Sequence, residues 1–291
     1  MTAWLAAPWH YAFFRHGMLA AVLAGALSGL IGVYVVLRRM SAIGHGLSHA
    51  IFGGAVVGYS LGANFYLFGG VWGALAALLI GGVSRTRKVS ADAAIGIVTT
   101  GSFALGIAII SRSHSFTRNF DAALFGNVLG VTTGDLYALV IVSLAVATVV
   151  FFLYRQLLFV TFDADVAAAF GVRTGAVETV FSMVLAAAIV ATMRVLGVTL
   201  IAAAVVTPAV VARLTTDSFA KLLALAVVVG AVCGGVGMYV SYYWDIASGA
   251  TITLVAMALF GVLYGVSALR GVKACRRAGM RTALRHPTRG T

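Results

Sequence analysis

The chain has 291 residues, of which 62% are hydrophobic and only 10% are charged, and its formal net charge is +12. A surface of this composition would aggregate in water, so these values exclude a soluble globular protein. They predict an all-α, polytopic membrane protein, and they favour a topology signal over nucleic-acid binding as the origin of the basic excess.

Stretches of about 20 apolar residues, the length that spans a bilayer, recur along the chain. We predict about nine transmembrane helices, within a range of eight to ten. The predicted spans are residues 17–37, 42–62, 65–83, 91–111, 134–154, 174–193, 195–212, 220–241 and 246–268. The connection around Arg194 is short enough to conceal a broken or re-entrant helix.

Two connections are more than simple turns. Residues 112–133 include an apolar stretch that is too short to span, which indicates a re-entrant or interfacial segment on the outer side. The inner connection contains a predicted amphipathic helix at about 162–171, with Asp163 as its N-cap and Gly171 as its stop. Such a helix either docks a soluble partner or lies on the lipid surface.

The basic residues predict the orientation. With the C-terminus inside, 16 of the 20 Lys and Arg residues fall on the inner side, as the positive-inside rule requires. We therefore divide the chain into a permease domain, residues 1–269, and a basic cytoplasmic tail, residues 270–291, which touches anionic headgroups. A regulatory or partner-binding tail is the alternative.

His45 and His49 stand where the second predicted span begins. Positions i and i+4 share one face of a helix, and two imidazoles on one face can hold a transition-metal ion. Ionisable groups inside a membrane are costly, which favours a functional role. The alternative is a pair of packing histidines that bond to backbone carbonyls.

Three further residues carry weaker signals. Asp92 opens the fourth span as a helix N-cap, or else it forms an ion pair or lines a transport path. Pro208 predicts a kink, which either shapes packing or hinges a gate. Glu178 is expected to pair with Arg173 or with the N-terminus of its own helix.

Between residues 16 and 268, seven motifs in order resemble the membrane subunit of ABC importers for zinc, manganese or ferrous iron, the class fed by an extracytoplasmic metal-binding protein. The motifs are Val35–Ser41, Gly44–Ala50, Asp92–Ile97, Leu124–Leu129, Phe162–Ala167 with Ala169–Gly171, Thr207–Ala209 and Asp245–Thr251.

The resemblance implies a type II ABC importer-like permease in the inner or plasma membrane of a prokaryote. It implies three protein partners, namely a second copy of the chain, separate ABC ATPase subunits and the metal-binding protein, and no nucleic acid. It assigns ATPase contact to the helix at 162–171, through Phe162, Asp163, Asp165, Ala167, Phe170 and Gly171. The divalent metal is then a substrate rather than a bound cofactor.

One position departs from the family pattern, which is Gly-Asp-x-x-Ser-His. His49 matches the histidine of that pattern, and His45 stands where the family has aspartate. In the family these two positions coordinate the transported metal, so the resemblance assigns metal binding to both histidines. Imidazole suits zinc, whereas carboxylate suits manganese, so we expect zinc in preference to manganese or iron.

Three other functions stay open at this point. A permease for a metal chelate of the siderophore or cobalamin type would make the histidines incidental, and a gradient-driven secondary transporter would need no ATPase. A membrane metalloenzyme would need a third ligand and a general base, yet Glu178 is the only glutamate. The sequence also has no phosphate-binding Gly-x-x-x-x-Gly-Lys-Ser/Thr loop, so we predict a transporter subunit and no enzyme activity of its own.

Overall fold

A computed structural model describes the backbone of residues 7–85, 89–113 and 124–285, and within these ranges the side chains except at 84, 85, 91, 113 and beyond 267. The described part is built from α-helices and two 3₁₀ turns, Ala7–His10 and Val128–Gly130. The helices are α1 (Ala12–Leu37), α2 (Ser41–Ser60), α3 (Phe65–Arg85), α4 (Ala91–Ser113), α5 (Thr133–Phe152), α6 (Tyr154–Phe162), α7 (Ala164–Ala169), α8 (Thr174–Leu196), α9 (Ile201–Arg213), α10 (Phe219–Trp244) and α11 (Ser248–Arg285).

Seven of the described helices are long and apolar enough to cross a membrane: α1, α3, α4, α5, α8, α10 and the first half of α11. The described part of the chain therefore has the all-helical fold of a multi-pass membrane protein. The helix α2 has 20 residues, two of them histidines, and is not among these seven. The helix α9 has only 13 residues, about 20 Å at 1.5 Å per residue, which is shorter than a bilayer core of about 30 Å. The count of nine spans stays a prediction.

The predicted boundary between the sixth and seventh spans was wrong. Helix α8 continues to Leu196, and α9 begins only at Ile201. Gly197 ends α8 because its φ of 74° is in the left-handed region that glycine adopts without a Cβ clash. The short predicted connection around Arg194 is therefore the last turn of α8, and the break lies a few residues later.

The most extensive helix–helix interface joins α1 to α10 through small residues. A Cβ on either Gly25 or Gly230 would overlap the carbonyl oxygen of the other, and a Cβ on Gly234 would overlap that of Ala21. Helix α9 approaches α1 in the same way, at Gly32 and the carbonyl of Val205. Lipid offers no hydrophobic force between helices, so close backbone packing of this kind stabilises their association.

A second group of helices surrounds α2. Its Gly53 lies against the carbonyl of Ser102 on α4, and its Gly54 lies against Trp72 on α3. Helix α8 packs against α1, α3 and α5, and so joins this group to the first. The residues of α2 are thereby held in a fixed relation to α4.

The segment before α5 closes one end of the bundle. Of the predicted outer segment 112–133, residues 114–123 lie outside the described ranges, and the part from Leu124 packs on the bundle. Val128 is fully buried, and its N–H donates to Ser248 Oγ at 2.9 Å. The N–H of Asn127 donates to the carbonyl of Arg194 at 2.8 Å. The described part of this segment is therefore bonded to the ends of α8 and α11.

Asp135, which the sequence analysis did not identify, links three helices at this end. Its carboxylate accepts hydrogen bonds from the Tyr66 hydroxyl at 2.6 Å and from Arg194 Nη1 at 2.8 Å. It also completes a capping box with Thr132 at the start of α5. This network fixes α3 and α8 to α5.

Helix α11 runs from Ser248 to Arg285. Its backbone continues past residue 269, the predicted end of the permease domain, into the predicted basic tail. The division into a permease domain and a tail, and the cytoplasmic position of the C-terminus, stay predictions.

We expect Gly230→Ala to destabilise the protein by about 1–3 kcal/mol, the usual cost of overpacking, because the new methyl group overlaps the Gly25 carbonyl. The measurement is the thermal unfolding midpoint of the purified protein in detergent. Gly261→Ala on α11 is the matched control, since a Cβ there meets open space. Equal midpoints for the two variants would contradict the packing account.

Candidate metal site

The two histidines lie together on α2. Their ring centroids are 4.7 Å apart, and the ring planes are nearly perpendicular at 84°. His45 is exposed in the single chain, and His49 is half-buried. The two side chains therefore lie on one face of α2, as the i, i+4 spacing predicts.

Both rings line a cavity of about 600 Å³ between α2 and α4. The remaining lining is mixed, with polar contributions from Asp92, Thr99 and Thr100 and an aromatic ring from Phe103. Helix α4 comes this close because residue 46 is glycine: a Cβ there would lie 2.6 Å from Thr99 Cγ2 and 2.8 Å from Ile95 Cγ2. The site is therefore a pocket between α2 and α4 in which a few polar side chains stand among apolar ones.

His49 is held by packing rather than by hydrogen bonds. Its ring meets Phe103 edge to face, with centroids 4.8 Å apart. Its Nδ1 is buried and has no hydrogen-bond partner in the described part of the chain. A buried polar atom without a partner is costly, and a metal ion is one group that would satisfy it.

Ser48 fixes the turn of α2 that carries the histidines. It is fully buried, and its Oγ donates to the carbonyl of His45 at 2.7 Å and to the carbonyl of Val198 at 3.2 Å. Val198 lies in the connection between α8 and α9. The serine of the Ser-His pair thus anchors the site to the α8–α9 connection.

One chain supplies an incomplete metal site. Within the described residues, no group of three or more His, Cys, Asp or Glu side chains is placed to hold a metal ion. Ser90 rather than Asp92 caps α4, because its Oγ accepts from the N–H of Ala93 at 3.2 Å. Asp92 lies in the first turn of α4 and lines the same cavity, and a role on a transport path stays a prediction. Protein-bound zinc usually has three or four protein ligands, so two imidazoles are half of a site.

Pro208 lies elsewhere. It is buried within α9 and is not among the residues that line the histidine cavity. Pro208 therefore packs where α9 meets its neighbouring helices. A role in gating stays a prediction.

The amphipathic helix predicted at about 162–171 is present as α7, although it is shorter than expected. Asp163 is its N-cap, with the carboxylate accepting from the N–H of Val166 at 2.9 Å, and Gly171 follows its end with a φ of 82°. The regular helix covers only Ala164–Ala169, because Phe162 closes α6 instead. Ala167 is fully buried, whereas Phe170 is 77% exposed and meets the Phe159 ring with centroids 5.7 Å apart. One side of α7 therefore packs on the bundle, and the other is exposed.

Glu178 was assigned the wrong partner. It pairs with Arg38, 140 positions away, at 3.4 Å, and not with Arg173. The Arg38 guanidinium also lies over the Phe181 ring, 5.2 Å from its centroid. Burial lowers the pKa of Arg38, and the Glu178 carboxylate opposes that shift. This pair joins the connection between α1 and α2 to the first turns of α8.

Comparison with known proteins gives consistent matches across the chain. Residues 10–266 match the profile of the ABC 3 transport family. The manganese transport system membrane protein MntC of Halalkalibacterium halodurans is 36% identical over 262 residues, covering 90% of each chain. A probable iron transport system membrane protein of Haemophilus influenzae is 32% identical over 88% of this chain and 91% of its own length.

A solved structure also matches. PsaBC from Streptococcus pneumoniae in complex with Fab superposes with a TM-score of 0.82 at 30% identity, covering 91% of this chain and 95% of the other.

Proposed function

Since the chain belongs to the ABC 3 transport family, we propose that it is the membrane permease subunit of an ATP-driven importer for a divalent transition metal. The observation that carries the proposal is the pair of imidazoles in a pocket between α2 and α4, one of them with an unsatisfied buried nitrogen. The relatives named for manganese and iron transport support the substrate class.

The transported ion is bound between two copies of the chain. Each copy offers His45 and His49, and His45 is exposed in the single chain, so it is free to reach across an interface. A two-fold axis beside the pocket would bring four imidazoles together, which satisfies tetrahedral coordination. An extracytoplasmic binding protein delivers the ion at the outer face.

Zinc is the metal that this donor set fits best among the family's cargoes. The relatives that are named for manganese transport favour manganese instead. The expectation of zinc for this chain rests on His45. Replacing the family's aspartate by histidine removes one negative charge per chain and supplies a softer donor, which suits zinc better than manganese.

Two ATPase subunits drive the transport cycle from the inner side, through α7. The exposed ring of Phe170 is a suitable anchor for a pocket on such a subunit. Beside it lies a groove of about 410 Å³, which includes Gln156, Gly171 and Arg173. Closure of the ATPase pair moves α7 and with it the bundle around the metal site.

We expect the double variant His45→Ala/His49→Ala to lose metal transport. Loss of a single outer-shell partner lowers metal affinity by up to roughly 100-fold, so we expect loss of both direct ligands to lower it by at least that factor. The measurement is zinc and manganese uptake into liposomes that contain the complete transporter. His10→Ala, on an exposed turn, is the control. Wild-type uptake by the double variant would remove the histidines from the mechanism, and competition by a metal chelate but not by free metal would favour a chelate permease.

His45→Asp restores the family pattern, and we expect it to raise the ratio of manganese to zinc transport. The added carboxylate is a harder donor and places a negative charge next to the ion. Competition between the two metals in the same liposomes measures the ratio, and His45→Asn, which brings no charge, is the comparison. An unchanged ratio would separate metal choice from this position.

Phe170→Ala should uncouple ATP hydrolysis from transport and leave metal binding intact. An interface anchor of this kind contributes about 2 kcal/mol or more to association. The readouts are co-purification of the ATPase and metal-stimulated hydrolysis. Tyr137→Ala, a similarly exposed aromatic on α5, is the control. Full ATPase recovery with Phe170→Ala would place the contact elsewhere.

A further inference from the structure

A second cavity, separate from the histidine pocket, lies beside the ion pair of Arg38 and Glu178. Its volume is about 530 Å³, in the range of small-molecule sites. Its lining is polar at the ion pair, Thr161 and Ser182, and apolar at residues that include Leu78 and Met183. The cavity thus combines a charged pair with apolar side chains.

Arg38 is unusual because it is buried and incompletely paired. Its side chain is only 6% exposed, and its Nη2 contacts Glu178 at 3.4 Å. Its Nη1 is buried without a hydrogen-bond partner in the described part of the structure. A guanidinium is always charged and has five N–H donors, so an unused buried donor indicates a missing acceptor.

Glu178 limits what that acceptor can be. Its side chain is 49% exposed, so its carboxylate keeps free acceptor sites on the cavity side. A simple anion would be drawn by Arg38 but repelled by Glu178, and a metal cation would meet the reverse problem. A ligand with both an anionic group and a nearby cationic donor satisfies both residues.

The exposed apolar residues of the cavity lining indicate where such a ligand comes from. Leu78 and Met183 are exposed, and Leu78 continues an apolar row on α3 that faces outward. The row consists of Leu67, Val71, Leu75, Leu78 and Leu79. In a chain of this hydropathy that face meets acyl chains, so a molecule that enters past Leu78 comes from the bilayer.

We propose that this cavity binds the headgroup of a phospholipid that carries a phosphate and a primary ammonium, namely phosphatidylethanolamine. The phosphate accepts from Arg38 Nη1, the ammonium donates to Glu178, and an acyl chain lies along Leu78 and Met183. Phosphatidylglycerol has no cation for Glu178, and phosphatidylcholine has no N–H donor. The lipid would stabilise the junction of α1 and α2 against α8, and this role is independent of the transported metal.

The test is native mass spectrometry of the full-length protein exchanged into equal amounts of the three lipids. We expect the wild type to retain phosphatidylethanolamine about tenfold better than the other two, the preference that one charge-assisted hydrogen bond gives. Glu178→Gln keeps a hydrogen-bonding side chain but removes the charge, and it should abolish the preference over phosphatidylglycerol.

Gly81→Leu provides a second variant that leaves the ion pair untouched. A Cβ at Gly81 meets open space, and this glycine lines the cavity, so the leucine fills the headgroup site without displacing the fold. We expect retention of phosphatidylethanolamine to fall about tenfold. Gly261→Leu, also in open space but on α11, is the control for added surface bulk.

Three results would overturn the proposal. They are equal retention of the three lipids by the wild type, unchanged retention by Gly81→Leu, and a wild-type preference over phosphatidylglycerol in Glu178→Gln. Displacement of the bound lipid by an excess of soluble phosphoethanolamine would support recognition of the headgroup. The Glu178→Gln result remains decisive if Gly81→Leu proves unstable, because Glu178 is half exposed and its substitution leaves no cavity.

Discussion

The structure depends on close backbone contact between helices at glycine. In lipid an apolar side chain gains nothing by leaving the acyl chains for a neighbouring helix, so association rests on van der Waals contact and a few hydrogen bonds. Gly25 against Gly230 joins α1 to α10, and Gly53 against the Ser102 carbonyl joins α2 to α4. The second contact fixes the spacing of the two helices that enclose the histidines.

Two ion pairs join helices of this tightly packed bundle near their ends. Asp135 and Arg194 join α5 to α8 at one end, and Arg38 and Glu178 join the α1–α2 connection to α8 near α7. Helix α8 is common to both. Under the proposed function, a displacement of α7 reaches the start of α2 through the first turns of α8 and one ion pair, because only four residues separate α7 from α8.

Local signals in the sequence predicted local structure well. The i, i+4 spacing placed His45 and His49 on one face, and Asp163 and Gly171 bounded α7, because helix periodicity and capping depend on near neighbours. The ion pairs were not predictable in this way. Arg38 and Glu178 are 140 residues apart, and Asp135 and Arg194 are 59 apart, so only the packing of the bundle brings them together. Gly197 ended α8 later than hydropathy indicated, because hydropathy does not register a backbone angle.

Under the proposed function, the two histidines differ in a way that bears on metal choice. His49 is half-buried, packs on Phe103 and follows a serine bonded to the α8–α9 connection, so a change there alters the fold around the site as well as its chemistry. His45 is exposed, and the hydrogen bond that involves it in the described structure uses its backbone carbonyl. Its side chain is therefore free to be histidine or aspartate without repacking α2 against α4. Position 45 is where the donor set can change while the pocket keeps its shape, and the departure from the family pattern lies at that position.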